Sequence, residues 1–485
     1  MNYKLVFRLA GRTMLLEAGA LLLPLLVALF YHEDPRPFVY TLPIMLIAGL
    51  AMAFLKGDRH FFPREGFFAV GLIWLLLGVC GAFPFFFYGI LSAGGGQFPS
   101  FIDCLFESVS GFTTTGATIL TNIEAVPKGL LFWRSFSQWM GGMGVLILTI
   151  ALLPSLGSRT QNILRAETPG PVISKLVPKS SQSSKILYAF YCVLTVIPIF
   201  LYKAVGLGWY DSLVTAFATS ATGGFSVKNL SIAGYANPAV EIIASIFMIL
   251  CSVNFILYFL LLSRKHKQVL KSDELRFFLA IIAIWTALTA VNTRNFFATD
   301  GETLRHAFFQ VTSLLSTTGF TSVDYNFFPE FAKVLFFLLF FCGACAGSTG
   351  GGIKCSRILL MLKCVRREIR QIVHPRTVNV VRLDGKVVPE ESLRAVLIFF
   401  AAYIGILLCA TLVVALDNFS FTTTFTSVAA CLGNVGLGLE MTGPTGSFAP
   451  FSTLSKVTLT VCMIIGRLEI FPILILFSRS AWKRT

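Results

Sequence analysis

Charged side chains are scarce in this sequence. Only 13% of its 485 residues are Asp, Glu, Lys or Arg, against about 25% in an average soluble domain. Hydrophobic residues make up 55% of the chain, and Phe alone contributes 48. Because the remaining polar side chains are too few to cover the surface of a water-soluble protein of this length, the composition indicates an integral membrane protein. The same numbers exclude a disordered chain and a collagen-like fibre.

Histidine is also rare, and cysteine shows no useful spacing. The 11 Cys residues lie mostly inside apolar runs, which excludes a secreted disulfide scaffold. The five His residues lie in connections or near segment ends, and none is paired at metal-ligand spacing. We therefore expect neither an enzyme nor an electron carrier, and no organic cofactor.

The net charge of +15 requires an explanation, since nucleic-acid-binding proteins are also basic. Of the 39 Lys and Arg residues, 29 lie in six connections that hold only 9 of the 24 Asp and Glu residues. These connections are residues 1–12, 56–65, 157–185, 263–276, 354–394 and 479–485. Because basic connections stay on the cytoplasmic side of a membrane, the charge indicates topology, and we expect no nucleic-acid partner.

Long apolar segments give the number of predicted membrane spans, because a helix needs about 20 apolar residues to cross the hydrocarbon. Ten segments qualify: 14–30, 38–55, 66–88, 129–153, 186–202, 239–262, 275–291, 331–370 with an interruption, 393–416 and 454–477. An even number of spans after a basic start predicts that both termini are cytoplasmic.

Four connections on the predicted outer side each contain a shorter apolar stretch, at 101–112, 210–220, 304–316 and 422–432. Such stretches are too short to span and predict re-entrant half-helices. Each is followed by Ser, Thr or Asn residues around a Gly. The four sequences are Thr114-Thr115-Gly116-Ala117-Thr118, Ala221-Thr222-Gly223-Gly224-Phe225, Thr317-Thr318-Gly319-Phe320-Thr321 and Asn434-Val435-Gly436-Leu437-Gly438.

A unit that recurs four times predicts a repeat architecture. We expect an all-α integral membrane protein with four helix–pore loop–helix repeats around a pseudo-fourfold pore, preceded by two N-terminal transmembrane helices. The predicted boundaries are 1–56 for the N-terminal pair and 57–178, 179–270, 271–380 and 381–485 for the repeats.

Non-helical backbone at membrane depth is tolerated only where it is buried in protein or lines a wet cavity. Four converging loops can point carbonyl oxygens at one axis, where they replace the hydration shell of a cation. Glycine permits a positive φ and a close approach of the ion. The predicted ion-binding residues are Thr115, Gly116, Thr222, Gly223, Thr318, Gly319, Val435 and Gly436.

On these motifs the whole chain resembles the TrkH/KtrB/HKT superfamily of potassium transporters, and within it the TrkH family. Asn434 to Gly438 is similar to the Thr-Val-Gly-Tyr-Gly filter of tetrameric potassium channels, while the other three loops keep only the Thr-Gly core. The resemblance implies potassium uptake across a bacterial inner membrane, with K⁺ bound in the filter. It also implies a homodimer and a cytoplasmic, nucleotide-binding TrkA-like regulatory subunit.

The interrupted eighth segment contains Ala346-Gly347-Ser348-Thr349-Gly350-Gly351-Gly352-Ile353-Lys354. Three consecutive glycines at about 1 kcal/mol each do not sustain a helix. We interpret residues 346–354 as an intramembrane gating loop under the filter, in line with the resemblance, whose gate residues are Gly347, Gly350, Gly351, Gly352 and Lys354. The alternative is a helix break used for close packing. A phosphate-binding loop is disfavoured because the Gly-Lys-Ser/Thr ending is missing.

Arg467 lies near the middle of the last apolar segment, where a charge is costly and typical of a functional site. We interpret it as an electrostatic barrier in the pore, a position at which the family also has an Arg. The alternative is an ion pair with Glu469 or with another helix. Lys354 either joins this barrier or extends to the cytoplasmic interface, as Lys side chains usually do.

Two questions stay open from the sequence. The rival function is a proton- or sodium-coupled secondary transporter, although such proteins usually contain two inverted halves rather than four units of one orientation. The basic face around residues 363–394 fits a docking surface for the regulatory subunit, and anionic membrane lipids explain the same charge equally well.

Overall fold

The computed structural model describes residues 3–55, 63–92, 96–144, 180–377 and 379–477. The first two helical pieces, α1 (Tyr3–Ala20) and α2 (Leu22–Phe30), form one span that packs against α3 (Arg36–Ala53). Gly11 and Gly49 lie where the α1 and α3 backbones meet, and a Cβ on Gly11 would lie 2.7 Å from the Gly49 carbonyl oxygen. Small residues therefore set the close packing of this N-terminal pair.

From residue 63 onward, the described residues follow the predicted order of helix, half-helix and helix, repeated four times. Repeat 1 contains α4 (Pro63–Leu91), α5 (Phe101–Phe112) and α6 (Lys128–Gly142). Repeat 2 contains α7 (Ser180–Ala204), α8 (Trp209–Ser220), α9 (Pro238–Ser252), α10 (Phe255–Leu262) and the short α11 (His266–Leu270). Repeat 3 contains α12 (Asp273–Asn292), α13 (Asp300–Leu315), α14 (Glu330–Leu339) and α15 (Cys355–Val373). Repeat 4 contains α16 (Glu390–Val414), α17 (Phe421–Leu432), α18 (Thr453–Arg467) and α19 (Phe471–Phe477).

Short 3₁₀ turns and one small hairpin connect the helices. Single 3₁₀ turns cover Ile123–Ala125, Ser231–Tyr235, Arg294–Phe296, Tyr325–Phe327, Ala415–Asp417 and Glu440–Thr442. A two-residue antiparallel hairpin, β1 (Arg382–Leu383) and β2 (Lys386–Val387), joins repeats 3 and 4, with Arg382 opposite Val387. The helical membrane-type fold expected from the sequence is confirmed.

The four half-helices are α5, α8, α13 and α17; α8 begins after Gly208, and the other three begin at a Ser or Thr cap. Ser100, Thr299 and Ser420 each accept a hydrogen bond from a backbone N–H of the first turn, as preferred N-cap residues do. The predicted stretch 101–112 matches α5 at both ends, and the other three match within four residues. The half-helix predictions are therefore confirmed.

The described part of the chain contains fewer straight spans than the ten that the sequence predicts. Six described helices are long and apolar enough to cross a membrane, or seven if α9 and α10, bent by 88°, count as one span. The predicted span 454–477 is broken between α18 and α19, where Glu469 and Ile470 have positive φ. The predicted span 129–153 is described only to residue 144. Hydropathy alone missed the breaks between α9 and α10 and between α18 and α19, because the residues on both sides of each are apolar.

The broken element of repeat 3 also differs from the prediction. The sequence predicted a helix over 331–345 and a loop at 346–354, whereas α14 ends at Leu339 and α15 begins at Cys355. The connection, called loop 340–354 below, is therefore six residues longer at its start. Gly343 has a positive φ and is packed against Gly352, so close backbone contact rather than helix propensity decides its path.

Each half-helix packs against the second helix of the preceding repeat. Half-helix α8 contacts α6, α13 contacts α9, and α5 contacts α18. Half-helix α17 meets α14 through Phe425 and Phe337, whose ring centroids are 5.7 Å apart. Because α5 of the first repeat contacts α18 of the fourth, the repeats close into a ring.

Candidate functional site

The four half-helices end in loops of the same backbone shape, called the glycine loops below: residues 114–116, 222–224, 317–319 and 434–436. The first residue of each has a φ between 52° and 59°, and the third is a glycine with a φ between 78° and 84°. Such angles are sterically costly for most L-residues, which explains the glycine at the third position.

The hydrogen bonds of the middle residues have the same register. The middle residues are Thr115, Gly223, Thr318 and Val435. Their amides donate to the carbonyl oxygens of Ser110, Ala218, Ser313 and Ala430, each at 2.9 Å. Each donor is five residues beyond its acceptor, so every loop is held by the end of its own half-helix.

This register corrects the alignment of the second repeat. From the Thr-Gly dipeptide, the sequence predicted that Thr222 and Gly223 correspond to Thr115 and Gly116. The structure instead places Gly223 and Gly224 at those positions, because Thr222 takes the left-handed conformation that opens the loop. The dipeptide match therefore lies one residue too early, since the end of α8 sets the register.

The four glycine loops contact one another in a closed cycle. A Cβ added to the third residue of any loop would overlap a backbone carbonyl oxygen of the next loop. The contacts are Gly116 with Gly223, Gly224 with Thr318, Gly319 with Val435, and Gly436 with Thr115. A cavity of about 340 Å³ opens onto this ring, lined by Gly116, Gly224, Gly319 and Leu437 among others. The predicted glycines of repeats 1, 3 and 4 are thus brought together around one centre, with Gly223 beside Gly224 in repeat 2.

A buried ion pair behind the first loop was missed at the sequence level. The Arg134 Nε lies 2.5 Å from the Glu107 Oε1, and both side chains are almost fully buried. Arg134 also donates to the Ser226 carbonyl at 3.0 Å, and Glu107 accepts from the amide of Ile119. The pair therefore connects repeats 1 and 2. A charge in each of two apolar stretches, 101–112 and 129–153, was the available signal.

Gln138 provides a second connection between the same repeats. Its Nε2 donates to the Gly223 carbonyl at 2.5 Å, and its Oε1 accepts from the amide of Phe225. Because Gln138 belongs to α6, a repeat 1 side chain fixes both sides of the second glycine loop.

Acidic side chains near the outer connections are already engaged. Asp103 pairs with Lys456 at 2.6 Å, and Asp417 accepts from the amide of Ser452. Glu440 accepts hydrogen bonds from the hydroxyls of Ser420 and Thr423, and the Ser420 bond is the main reason that the pKa of Glu440 lies below its ordinary value. These carboxylates stabilise the outer connections.

Loop 340–354 lies directly against the glycine loops. The Thr349 hydroxyl is 3.2 Å from the Thr222 hydroxyl, and the Gly351 amide donates to the Thr317 hydroxyl at 2.7 Å. A Cβ on Gly351 would lie 2.6 Å from the Cβ of Asn434. The first residues of three glycine loops therefore contact this one segment.

The remaining predicted gate residues are held by backbone contacts. The Gly347 carbonyl accepts from the amide of Phe255, the first residue of α10. Gly350 packs on the Ser316 carbonyl. Lys354 is buried, has a φ of 75°, and its ammonium donates to the Gly350 carbonyl. Its side chain thus folds back on the loop, whereas Lys side chains usually extend their ammonium group towards water.

Arg467 connects this loop to the first repeat. Its guanidinium donates to the Thr349 carbonyl at 2.8 Å, and to the Gly141 and Gly142 carbonyls at 2.6 and 2.5 Å. Glu469 forms an ion pair with Arg357. Arg467 therefore lies beside loop 340–354 and connects it to the C-terminal end of α6.

The four glycine loops form a closed ring, and loop 340–354 and Arg467 lie on one side of it. Comparison with known families identifies a family for this chain. The model of the TrkH family, described as cation transport protein, matches residues 39–483. The chain belongs to the TrkH family. It is 36% identical to the Trk system potassium uptake protein TrkH of Salmonella typhimurium and 35% identical to that of Escherichia coli K12, with both chains covered completely in each case.

Two further TrkH-family comparisons agree. The chain is 34% identical to the Trk system potassium uptake protein TrkG of Escherichia coli K12 over 99% of each chain. The crystal structure of the potassium transporter TrkH from Vibrio parahaemolyticus superimposes with a TM-score of 0.88 at 32% identity, and all of both chains is covered. The TrkH fold is therefore shared along the whole chain.

Proposed function

We propose that this chain takes up potassium and that the ring of glycine loops is its selectivity filter. The observation that carries the proposal is the closed cycle of contacts between Gly116, Gly224, Gly319 and Gly436 and the neighbouring carbonyls. Backbone oxygens arranged around one axis replace the hydration shell of a monovalent cation. The names of the similar proteins, which are potassium uptake proteins, support K⁺ as the transported ion.

The filter residues follow from the observed register. They are Thr115, Gly116, Gly223, Gly224, Thr318, Gly319, Val435 and Gly436. The C-terminal ends of all four half-helices lead into these loops, and the partial negative charge of helix C-termini favours cations over anions. Since the side chains at the middle position differ, backbone geometry alone sets the selectivity, and we expect K⁺ and Rb⁺ to pass well and Na⁺ measurably.

The gate in this proposal is loop 340–354. Its contacts with Thr222, Thr317 and Asn434 close the inner side of the filter. Arg467 adds a positive charge there and holds the loop through the Thr349 carbonyl. Opening requires the loop to leave the filter, which breaks these contacts.

The expected setting is a bacterial inner membrane with both termini in the cytoplasm. A homodimer and a TrkA-like nucleotide-binding subunit are the proposed partners. The basic residues of α15 and the hairpin, including Lys363, Arg366 and Arg382, offer a surface for that subunit or for anionic lipids.

Flux through the purified protein in liposomes tests the proposal. A K⁺ gradient should drive uptake of Rb⁺ without a pH or Na⁺ gradient, and excess Na⁺ should compete weakly. The chain would not be a potassium pore if all alkali cations passed at equal rates or if K⁺ did not pass. Uptake that required a pH or Na⁺ gradient would instead support the coupled transporter.

A further inference from the structure

The first turn of α12 contains two adjacent acidic residues, Asp273 and Glu274, that contact different parts of repeat 3. Glu274 is 8% exposed. Its Oε1 accepts from the amide of Ala346 at 2.8 Å and from the amide of Ser356 at 3.0 Å. One oxygen atom thus binds the residue before the glycine-rich part of loop 340–354 and the second residue of α15.

This double contact constrains the loop. Ala346 precedes the glycines, and Ser356 lies in the first turn of α15, where backbone N–H groups have no partner within the helix. A movement that separates residues 346 and 356, or shifts either one away from α12, breaks at least one of these two hydrogen bonds. The contact therefore favours the loop position in which the filter is covered.

Asp273 connects the same turn to the hairpin and to α15. Its carboxylate lies 2.6 Å from the Lys363 ammonium and accepts from the amide of Asp384 at 3.2 Å. The Asp273 amide donates in return to the Asp384 side chain at 2.7 Å. Asp384 lies in the turn of the exposed hairpin, so one helical turn joins that hairpin to the loop.

We propose that Glu274 is a positioning residue that holds loop 340–354 against the filter, and that Asp273 couples this contact to the exposed hairpin Arg382–Val387. A partner that moves the hairpin would then release the loop. This inference rests on the proposed function, in which loop 340–354 is the gate.

Reach and charge at position 274 can be separated in the full-length protein by single-channel recording. Glu274→Asp keeps the charge but retracts the carboxylate by one methylene, and we expect its open probability to rise at least threefold with unchanged conductance. Glu274→Gln keeps the acceptor oxygen in place, and we expect its open probability to stay within twofold of that of the parent. Equal behaviour of the two variants would overturn the positioning role.

A loop variant distinguishes failure of this inference from failure of the gate itself. Gly351→Ala should change the open probability through its contact with Asn434, independently of Glu274. If Gly351→Ala changes gating and Glu274→Asp does not, the inference is wrong and the gate stands. If neither changes gating, the gate proposal is wrong.

Amide hydrogen exchange tests the coupling without measuring transport. Asp273→Ala should increase exchange at residues 346 and 356 severalfold, while exchange in half-helix α5 stays the same. Lys267→Ala, which removes an exposed charge in the neighbouring α11, is the control. Unchanged exchange at residues 346 and 356 in Asp273→Ala would overturn the coupling. Should Glu274→Asp not fold, this measurement carries the test.

Discussion

At the residue scale, the Glu107–Arg134 pair shows why a charge is retained in an apolar environment. Both side chains are almost completely buried. Glu107 accepts a further hydrogen bond from a backbone amide of repeat 1, and Arg134 donates one to a backbone carbonyl of repeat 2. Arg134 also lies over the Phe225 ring, 3.7 Å from its centroid. The pair thus fixes the wall behind two adjacent glycine loops.

We expect Glu107→Gln to destabilise the protein, because removing one partner of a buried ion pair costs about 3–5 kcal/mol. The double variant Glu107→Gln with Arg134→Met should lose less, since no charge is then buried alone. Thermal unfolding in detergent, followed by Trp fluorescence, measures both. Asp34→Asn, which breaks a pair of exposed residues, is the matched control. A single variant as stable as the parent would contradict the argument.

The register of the second glycine loop gives a prediction that the sequence alone would reverse. Gly224 has a φ of 78° and faces the Thr318 carbonyl, whereas the three heavy atoms nearest to a Cβ on Gly223 all belong to the Gln138 side chain. Because backbone cannot move aside as a side chain can, Gly224→Ala should reduce Rb⁺ flux at least tenfold, and Gly223→Ala should reduce it less. A larger loss in Gly223→Ala would refute the register.

Arg467 carries a positive charge, and its hydrogen bonds to three carbonyls also bridge loop 340–354 and α6. Two substitutions separate the charge from this bridge. Arg467→Ala removes both and should raise K⁺ flux severalfold in liposomes. Arg467→Lys keeps the charge but cannot reach the three carbonyls with the same geometry, because Lys lacks the planar fork of Arg. Low flux in the Lys variant would assign the effect to charge, and high flux would assign it to the bridge. Unchanged flux in Arg467→Ala would exclude both.

At the element scale, the sequence predicted the half-helices well because each combines an apolar run with a Ser, Thr or Gly before it. Their ends are fixed locally, by caps such as Ser100 and by the glycines that follow. Breaks inside spanning segments were harder to predict. The break at Glu469 and Ile470 lies between Gly466 and Pro472 in an otherwise apolar segment, and it is stabilised by tertiary contacts such as the Glu469–Arg357 pair.

The path of loop 340–354 was also only partly predictable from the sequence. Three glycines signalled the loop, yet its start at Phe340 follows from packing of Gly343 against Gly352, which only the folded chain shows. The candidate site was likewise predictable in the glycines of repeats 1, 3 and 4, but the loop register of repeat 2 was placed one residue too early. Glu107, Gln138 and Glu274 were not predicted, because their partners are distant in sequence.

The same loop carries a prediction at this scale. Gly351→Ala adds a Cβ that would lie 2.6 Å from the Cβ of Asn434, so the loop must move away from the filter. Open probability should therefore increase without loss of K⁺ selectivity, as measured by single-channel recording. Gly405→Ala, which meets nothing within 4 Å, is the matched control. A Gly351→Ala channel with parental gating would contradict this mechanism.

At the scale of the whole molecule, the ring depends on contacts between repeats that are far apart in sequence. Two buried or half-buried ion pairs join a half-helix to the second helix of the preceding repeat. Lys456 of α18 pairs with Asp103 of α5 at 2.6 Å, and Glu241 of α9 pairs with Arg305 of α13 at 2.9 Å. The first of these joins the fourth repeat to the first and so closes the ring.

Loss of that closure should reach the filter, because Gly436 of the fourth loop packs directly on the Thr115 carbonyl of the first. Lys456→Met leaves Asp103 buried without its partner, so we expect both a lower unfolding temperature and a severalfold weaker preference for K⁺ over Na⁺ in liposome flux. Adding Asp103→Leu removes the unpaired charge and should recover stability, since apolar replacements of a buried pair are often neutral. Selectivity should recover with it only if packing, rather than the ion pair itself, holds the first and fourth loops together. A Lys456→Met protein with parental selectivity would show that the ring keeps its geometry without this closing contact.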